Sequence, residues 1–120
     1  MCEKQILFFV LHKPEILDRL MVALNKAGIK GATIINSSGM AHSLASSEDS
    51  YIISSLRAFL TPDREENRTI IMVLDEQQVA EAKRVIREVV GDLSKPYTGI
   101  MFVMPAISVE GLSQSDISFD

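Results

Sequence analysis

Hydrophobic positions in this 120-residue chain repeat one plan twice: strand, amphipathic helix and strand follow one another in residues 5–36 and again in 69–104. The first unit opens on a nearly unbroken apolar run, Ile6 to Leu11, which is typical of a strand buried on both faces. Further predicted strands are Gly31 to Asn36, 69–74 and Gly99 to Met104, and alternation of apolar and polar residues predicts a short fifth strand at Ala106 to Glu110. A doubled unit of this size predicts an α+β fold, the ferredoxin-like βαββαβ sandwich.

Both predicted helices carry recognisable end signals. The first begins at Pro14, where a missing N–H costs nothing, and ends at Gly28, which suits a left-handed turn. The second begins after Asp75, whose side chain and that of Gln78 form a capping box, and ends at Gly91. The apolar stripes that these helices present are Ile16, Leu17, Leu20, Met21, Leu24 and Ala27 in the first, and Val79, Ala82, Ile86, Val89 and Val90 in the second.

Both faces of the predicted sheet are apolar, although the two helices can cover only one of them. Strands one, three and four alternate apolar residues on both sides, for example Phe8 against Phe9 and Phe102 against Met101. Two helices can cover only one side, and a buried Phe or Leu is worth roughly 1.5–3 kcal/mol. We expect the second face to be covered by copies of the same chain in a closed ring, with cover by the insertion or the tail as the alternative.

A long insertion, Ser37 to Arg68, separates the two units. Hairpin connections usually take two to five residues, so a segment of this length is typically functional. Its first part is rich in serine, and its second part has apolar residues at helical spacing, which predicts a short helix near residues 50–60. We therefore predict one domain, residues 1–112, followed by a polar tail, residues 113–120.

Composition and charge exclude several classes of function. The net charge is −4 and no basic block occurs, which argues against binding of nucleic acid through phosphate neutralisation. No apolar run approaches the roughly 18 residues of a membrane span, so we expect a cytoplasmic protein with no membrane insertion. Cys2, His12 and His42 lack metal-ligand spacing, and no nucleophile stands beside a base. We expect neither a metal site nor an enzyme, and no required cofactor.

Two segments resemble the P-II signalling family and its PII-like relatives: LDRLMVALNKAGIKGATIINSSG, residues 17–39, and TGIMFVMPAISVEGL, residues 98–112. Gly28, Ile29, Gly31, Thr33 and Gly39 reproduce the order of the family's helix end, strand and loop base. The resemblance implies a ferredoxin-like homotrimer that binds adenine nucleotides between subunits. It also makes Ser37 to Arg68 the counterpart of a signalling loop that contacts a target transporter or enzyme, and Gly91 to Gly99 the counterpart of a phosphate-binding loop.

The resemblance implies a set of ligand-binding residues, which are Thr33, Gly39, His42, Ser43, Ser94, Lys95, Thr98 and Gly99. Lys95 could hold an anion together with backbone N–H groups, or could simply be a solvated lysine in a loop. Gly39 could let the loop base approach a ligand or only relieve a turn, and His42 could be solvated. The chain departs from the family at Ile100, which replaces a phosphate-contacting lysine, and at Ser43, which replaces a glutamine.

Two hypotheses for function follow. The first is a trimeric regulator of nitrogen or related metabolism that senses a small anionic metabolite or an adenine nucleotide and acts on a partner protein. The second is a protein-interaction scaffold of the same fold that binds no ligand. It is favoured by the missing lysine at position 100 and by the absence of the arginines that the family resemblance implies after the fourth strand.

Overall fold

Four antiparallel strands and two helices make up the part of the chain that the structure, a computed structural model, describes, namely residues 3–40 and 66–112. The strands are paired in the order β2-β3-β1-β4. Their bounds, with those of the helices, are β1 Gln5–Leu11, α1 Leu17–Lys26, β2 Thr33–Ser38, β3 Glu66–Leu74, α2 Glu76–Val90 and β4 Gly99–Pro105. This order and pairing confirm the predicted α+β, ferredoxin-like sandwich.

The hydrophobic core lies between the two helices and one face of the sheet. On β1, Leu7, Phe9 and Leu11 are fully buried, and alternate residues of β3 join them. The helices contribute the stripes predicted from their spacing, to which the structure adds Val85 on α2. The remaining buried apolar residues of this core are Leu20, Leu24, Ile29, Ile70, Met72, Leu74, Val79, Ala82, Ile86 and Val90.

Local hydrogen bonds at the helix ends explain where each helix starts and stops. The N–H of Gly28 donates to Asn25 O and that of Ile29 to Leu24 O, which is the Schellman pattern. Gly28 has a φ of 92°, a conformation that costs glycine little. At α2, the Gln78 N–H donates to Asp75 Oδ1 and the Asp75 N–H to Gln78 Oε1, so the predicted capping box is present. A short 3₁₀ turn, Pro14–Ile16, precedes α1.

The strands reach further into the insertion than the sequence pattern predicted. β2 begins at Thr33 rather than Gly31 and runs to Ser38, where it pairs with Glu66 of β3. The ends of the predicted insertion, Ser37 and 66–68, are therefore part of the sheet. The hydrophobic pattern missed them because strand pairing uses backbone groups, and polar side chains are tolerated at an exposed edge. Residues 41–65, with the predicted helix near 50–60, and the tail 113–120 lie outside the described residues.

The predicted fifth strand is wrong within the described part of the chain, since residues 106–112 form no strand. The Ala106 N–H donates to Lys4 O at 3.0 Å, and Ala106 is buried. Ile107, the next residue, is 94% exposed. Alternating polarity marks a strand only where the segment pairs with a neighbouring strand, and residues 106–112 pair with none of the four described strands.

Candidate functional site

The uncovered side of the sheet carries a continuous apolar surface, which we call the open face. On β4, Ile100, Phe102 and Met104 are 58, 44 and 40% exposed. The ring of Phe102 stacks on that of Phe8 with centroids 5.0 Å apart and an interplanar angle of 7°. The apolar residues of this face, grouped by the pairing register, are Ile6, Phe8, Val10, Ile35, Ile71, Val73, Ile100, Phe102 and Met104.

One corner of the open face is polar. Ser37 of β2 stands opposite Asn67 of β3, and Thr69 lies two residues further along β3 on the same face. The Ser37 hydroxyl donates to Asn67 Oδ1, and its oxygen is 2.8 Å from Thr69 Oγ1. Asn67 is only 8% exposed. We call Ser37, Asn67 and Thr69 the polar corner.

The loop between α2 and β4 is held by its own acidic side chain. Asp92 Oδ1 accepts from the Ser94 N–H at 2.9 Å and from the Ser94 hydroxyl at 2.8 Å. These two hydrogen bonds, the backbone one first, lower the pKa of the Asp92 carboxyl below its ordinary value. The Lys95 N–H donates to the Asp92 carbonyl at 3.1 Å. The loop therefore places a negative charge where the resemblance predicts an anion.

Two of the predicted ligand-binding residues in this loop serve the fold. The buried Thr98 donates its hydroxyl hydrogen to Lys95 O at 2.8 Å, and its carbonyl accepts from the His12 N–H at 3.1 Å. At Gly99, an added Cβ would lie 2.5 Å from the Val10 carbonyl oxygen and 2.6 Å from Phe9 Cε1. Close packing of β4 on β1 thus explains this glycine without a ligand.

An open crevice of about 600 Å³ lies between the end of α2 and the start of β4. Arg87 and Asp92 give it one positive and one negative side chain, while Ile100 and Met101 supply apolar wall. Ser94 and Gly99 also line it, but Lys95, which is exposed, lies outside the lining. The crevice could accept a small group that combines an apolar body with a charged end.

A second, smaller cavity of about 240 Å³ lies beside the start of β2. Thr33 lines it together with Lys4 and Lys30, and Ile71 and Gln78 complete much of the wall. The Lys30 ammonium donates to the backbone and side-chain oxygens of Asn25 at 3.3 and 3.2 Å. Thr33 is therefore in a separate cavity from the loop residues.

The described chain does not bring the predicted ligand-binding residues together. The register aligns Asn36, Arg68, Leu11 and Gly99 across the sheet, so Gly39 and the α2–β4 loop lie at the same end but on opposite edges. Three strand spacings separate these edges, about 14 Å in all. Thr33 is three residues back from Asn36 along β2, about 10 Å, and so still further from Gly39. His42 and Ser43 lie outside the described residues.

Sequence reasoning missed Asp92, Arg87 and the polar corner as parts of the site. The spacing Asp92-x-Ser94 is a recognisable signal, since an aspartate often accepts from the N–H two residues on in a turn. Arg87 follows from the helical period once α2 is known to end at the crevice. Asn67 has no such local signal, because the pairing of β2 with β3 alone brings it to Ser37.

Within residues 3–40 and 66–112, no group of three His, Cys, Asp or Glu side chains could hold a metal ion. None of the helices in those ranges is long and apolar enough to cross a bilayer.

Comparison with known proteins places this fold in a family. Among the solved structures that resemble the chain are a DUF3240 family protein from Shewanella baltica OS155, at 18% identity and TM-score 0.61, and a functionally unknown protein from Pediococcus pentosaceus ATCC 25745, at 12% and 0.60. They match 94% and 93% of this chain and 100% of their own lengths, and at such identities they show the fold alone. No curated protein matches significantly in sequence. The profile of "Nitrogen regulatory protein P-II" matches residues 7–115, so the chain belongs to the P-II family of regulatory signalling proteins.

Proposed function

We propose that this protein is a homotrimeric P-II regulator that binds a small anionic metabolite or an adenine nucleotide at its subunit clefts. In this proposal it works in the cytoplasm and acts on a partner transporter or enzyme of nitrogen or related metabolism. The observation that carries the proposal is the open face. Family membership supports the regulatory class, and the geometry supports the assembly.

Self-association follows from the energetics of the open face. Ile35, Ile100, Phe102 and Met104 each leave 40% or more of their surface in water, although they stand side by side with other apolar residues. Removing apolar surface from water contributes about 25 cal/mol per Å². Contiguous apolar patches of this kind mark interaction sites, and closed rings of identical subunits are a common solution.

Assembly would also bring together predicted ligand-binding residues that lie far apart within one chain. Gly39 and the α2–β4 loop lie on opposite edges of one sheet, about 14 Å apart. In a closed ring, the β2 edge of one copy can stand next to the β4 edge of another. A ligand in that cleft would meet Gly39 from one subunit and Lys95 from its neighbour.

The charges near the loop favour an anionic ligand of modest charge. Lys95 and Arg87 are two of the cations at this end of α2 and β4, and neither forms a salt bridge with a carboxylate among the described residues. Asp92 lowers the positive potential that these cations create. A ligand with an aromatic or aliphatic body and few negative charges fits this balance better than a polyphosphate.

A ligand-free scaffold is the second candidate, and the loop's internal hydrogen bonds favour it. Asp92 already occupies the Ser94 N–H and hydroxyl, and the Thr98 hydroxyl is used by Lys95 O. A ligand would therefore have to displace these bonds or bind outside them. Under this alternative the trimer still forms, but no effector controls it.

Sedimentation of a matched pair of variants tests the assembly. Ile100→Glu places a charge on the open face at a residue 58% exposed, and Val22→Glu does so on the outer side of α1 at a residue 54% exposed. We expect wild type and Val22→Glu to sediment as trimers and Ile100→Glu as a folded monomer. A monomeric wild type would contradict the proposal.

Calorimetric titration tests the ligand. We expect heat of binding from at least one of ATP, ADP, AMP or a cyclic dinucleotide, a loss of about tenfold or more in affinity in Lys95→Ala, and no loss in Lys26→Ala on α1. Silence from all four nucleotides in a trimeric wild type would favour the scaffold instead.

A further inference from the structure

Half of the backbone groups of β4 point away from the strand that β4 pairs with. The N–H of His12 donates to Thr98 O at 3.1 Å, and that of Ala106 donates to Lys4 O at 3.0 Å. Hydrogen-bonded residue pairs alternate along an antiparallel ladder, so these two bonds fix the phase of the whole β1–β4 register. The residues of β4 whose N–H and C=O groups point outward are therefore Gly99, Met101 and Val103.

The same alternation identifies the outward groups of β2, at the opposite edge of the sheet. The even-numbered residues of β1 bond to β4, so the odd-numbered ones, such as Phe9, bond to β3. On β3, Ile70 faces β1 in this way, while its neighbours Thr69 and Ile71 face β2. The residues of β2 whose backbone groups point outward are therefore Ile34, Asn36 and Ser38. No strand within residues 3–40 and 66–112 pairs with either outer edge.

Neither edge strand carries charges that would repel an added strand. Sheet edges in monomeric proteins are commonly blocked by charged side chains, bulges or proline. The sequences of β2, TIINSS, and of β4, GIMFVMP, contain no charged residue. Pro105 lacks an N–H, but it lies at the end of β4, beyond the three outward residues. Both strands are accessible, since Ile34 and Ile35 of β2 are 42 and 44% exposed and the 600 Å³ crevice opens beside the start of β4.

We propose that β2 of a second copy adds to the outer edge of β4 as an antiparallel strand, in the register that sets Asn36 of one copy opposite Met101 of the other. The inference rests on the proposed self-association and names the strands and the register that carry it. Neighbouring strands of the sheet alternate in direction, so β2 and β4 run in opposite directions. In a ring of copies whose open faces point inward, β2 of one copy then meets β4 of the next in the antiparallel sense.

This register uses every outward backbone pair of the two edges. It sets Ile34, Asn36 and Ser38 opposite Val103, Met101 and Gly99, respectively. A shift by two residues in either direction keeps only two of these three pairs, and Pro105 has no N–H to complete a third. On the open face the same register sets Ile35 opposite Phe102, so two side chains that are each 44% exposed would cover one another.

The register also gives the crevice beside β4 an occupant. Met101 lines this crevice, and its side chain lies on the helix-covered side of the sheet, as that of Asn36 does on β2. The pairing therefore brings Asn36 of the second copy beside Met101, where Arg87 and Asp92 line the crevice. A carboxamide can accept from a guanidinium and donate to a carboxylate, so Asn36 suits this mixed charge. The crevice is then completed only in the assembly.

Cysteine cross-linking tests the register. Ser37→Cys with Ile100→Cys sets two thiols directly opposite one another, with Cβ atoms about 4.5–5.5 Å apart, close to what a disulfide spans. Ser37→Cys with Met104→Cys is the matched control, because Met104 lies on the same face of β4 but about 13 Å further along it. Both carry Cys2→Ser, which removes the only native cysteine. Within one chain about 14 Å separates β2 from β4, so a disulfide joins two copies. Under mild oxidation we expect at least tenfold more linked product from the first pair.

Proline substitution tests the backbone hydrogen bonds. Asn36→Pro removes an outward N–H that β3 does not use, and Asn36→Ala, which keeps that N–H, is the control. We expect Asn36→Pro, once circular dichroism shows that it is folded, to dissociate at a concentration about tenfold or more higher than Asn36→Ala in sedimentation. The amide hydrogens of Met101 and Val103 should exchange slowly in the assembly and rapidly in the dilute monomer.

Three results would overturn the inference. One is equal or greater cross-linking of the control pair in a protein that associates. A second is unchanged association in folded Asn36→Pro. A third is slow exchange of the Met101 and Val103 amides in the dilute monomer, which would place their acceptors within the same chain. A monomeric wild type would instead defeat the proposed assembly, and this inference with it, so the two failures are distinguishable.

Discussion

The two faces of this sheet are nearly equal in hydrophobicity but have different surroundings. Along β1, Phe9 is fully buried against the helices, while its neighbour Phe8 lies half-buried on the open face and stacks on Phe102. The same contrast runs along β3 and β4. The apolar pattern therefore shows that both faces are hydrophobic, but the position of the helices decides which face is buried within the chain and which stays exposed.

The largest expected effect on stability comes from comparing one phenylalanine on each face of the sheet. Phe9→Ala should lower the free energy of unfolding by about 3–5 kcal/mol, because Phe9 is fully buried and its neighbours would fill the resulting cavity only in part. Phe8→Ala should cost less than half as much in the monomer, since it loses mainly the aromatic pair and partial burial. Urea denaturation at concentrations below self-association measures both. Equal losses would show that the two faces are equally packed within one chain.

Gly99 tests how closely β4 must approach β1, the strand contact that both faces share. In Gly99→Ala the added methyl group would overlap the Val10 carbonyl and the Phe9 ring, and the φ of 158° is rarely adopted by other residues. We expect a loss of about 1–3 kcal/mol from overpacking. Gly28→Ala, with no atom within 4 Å of the new Cβ, is the control for backbone strain alone. Thermal unfolding with hydrogen exchange at β4 would show whether the loss localises there.

The capping box tests the helix-covered side without touching the open face. Asp75→Ala removes the acceptor for the Gln78 N–H and should lower the free energy of unfolding by about 1 kcal/mol. Self-association of the folded protein should stay unchanged, because α2 packs on the other side of the sheet. Denaturation and sedimentation of the same sample measure the two quantities, and a change in trimer affinity would contradict the separation of faces.

The smallest effect concerns the charge of Asp92. Its folded-state pKa is lowered, so the ionised carboxylate stabilises the native state at neutral pH, and this contribution is lost as the pH falls below the ordinary aspartate pKa. Asp92→Asn keeps an oxygen acceptor but removes the charge, and should be slightly less stable than wild type at neutral pH. The difference should vanish at strongly acidic pH. Since the group is exposed, we expect a small difference, and a constant one across pH would exclude this cause.

Several features could be predicted from sequence because they depend on neighbours along the chain. The capping box at Asp75 and Gln78 and the glycine ends at Gly28 and Gly91 were confirmed, since a helix end is satisfied by residues within one turn of it. The apolar stripes of both helices were also confirmed, because they follow from the helical period within one segment. Val85 is an additional buried residue, so α2 is buried over a wider arc than predicted. The family resemblance was confirmed by the match over residues 7–115.

The candidate site was less predictable because it depends on which strands are adjacent. The roles of Thr98 and Gly99 in holding β4 against β1 emerge only from the register, as does the separation of Gly39 from the α2–β4 loop. The prediction of a fifth strand was wrong because alternation within a segment does not show whether that segment pairs with a neighbouring strand. The assignment of the eight residues to a ligand remains a prediction.

By itself the sequence determined the elements, their ends and the presence of two apolar sheet faces, because these follow from periodicity and from hydrogen bonds within a few residues. Only the tertiary structure decided that Phe9 lies in the core and Phe8 on the open face, and that Asn67 meets Ser37 across 30 residues. Strand order and the side on which helices pack are properties of long-range contacts, and no local pattern encodes them.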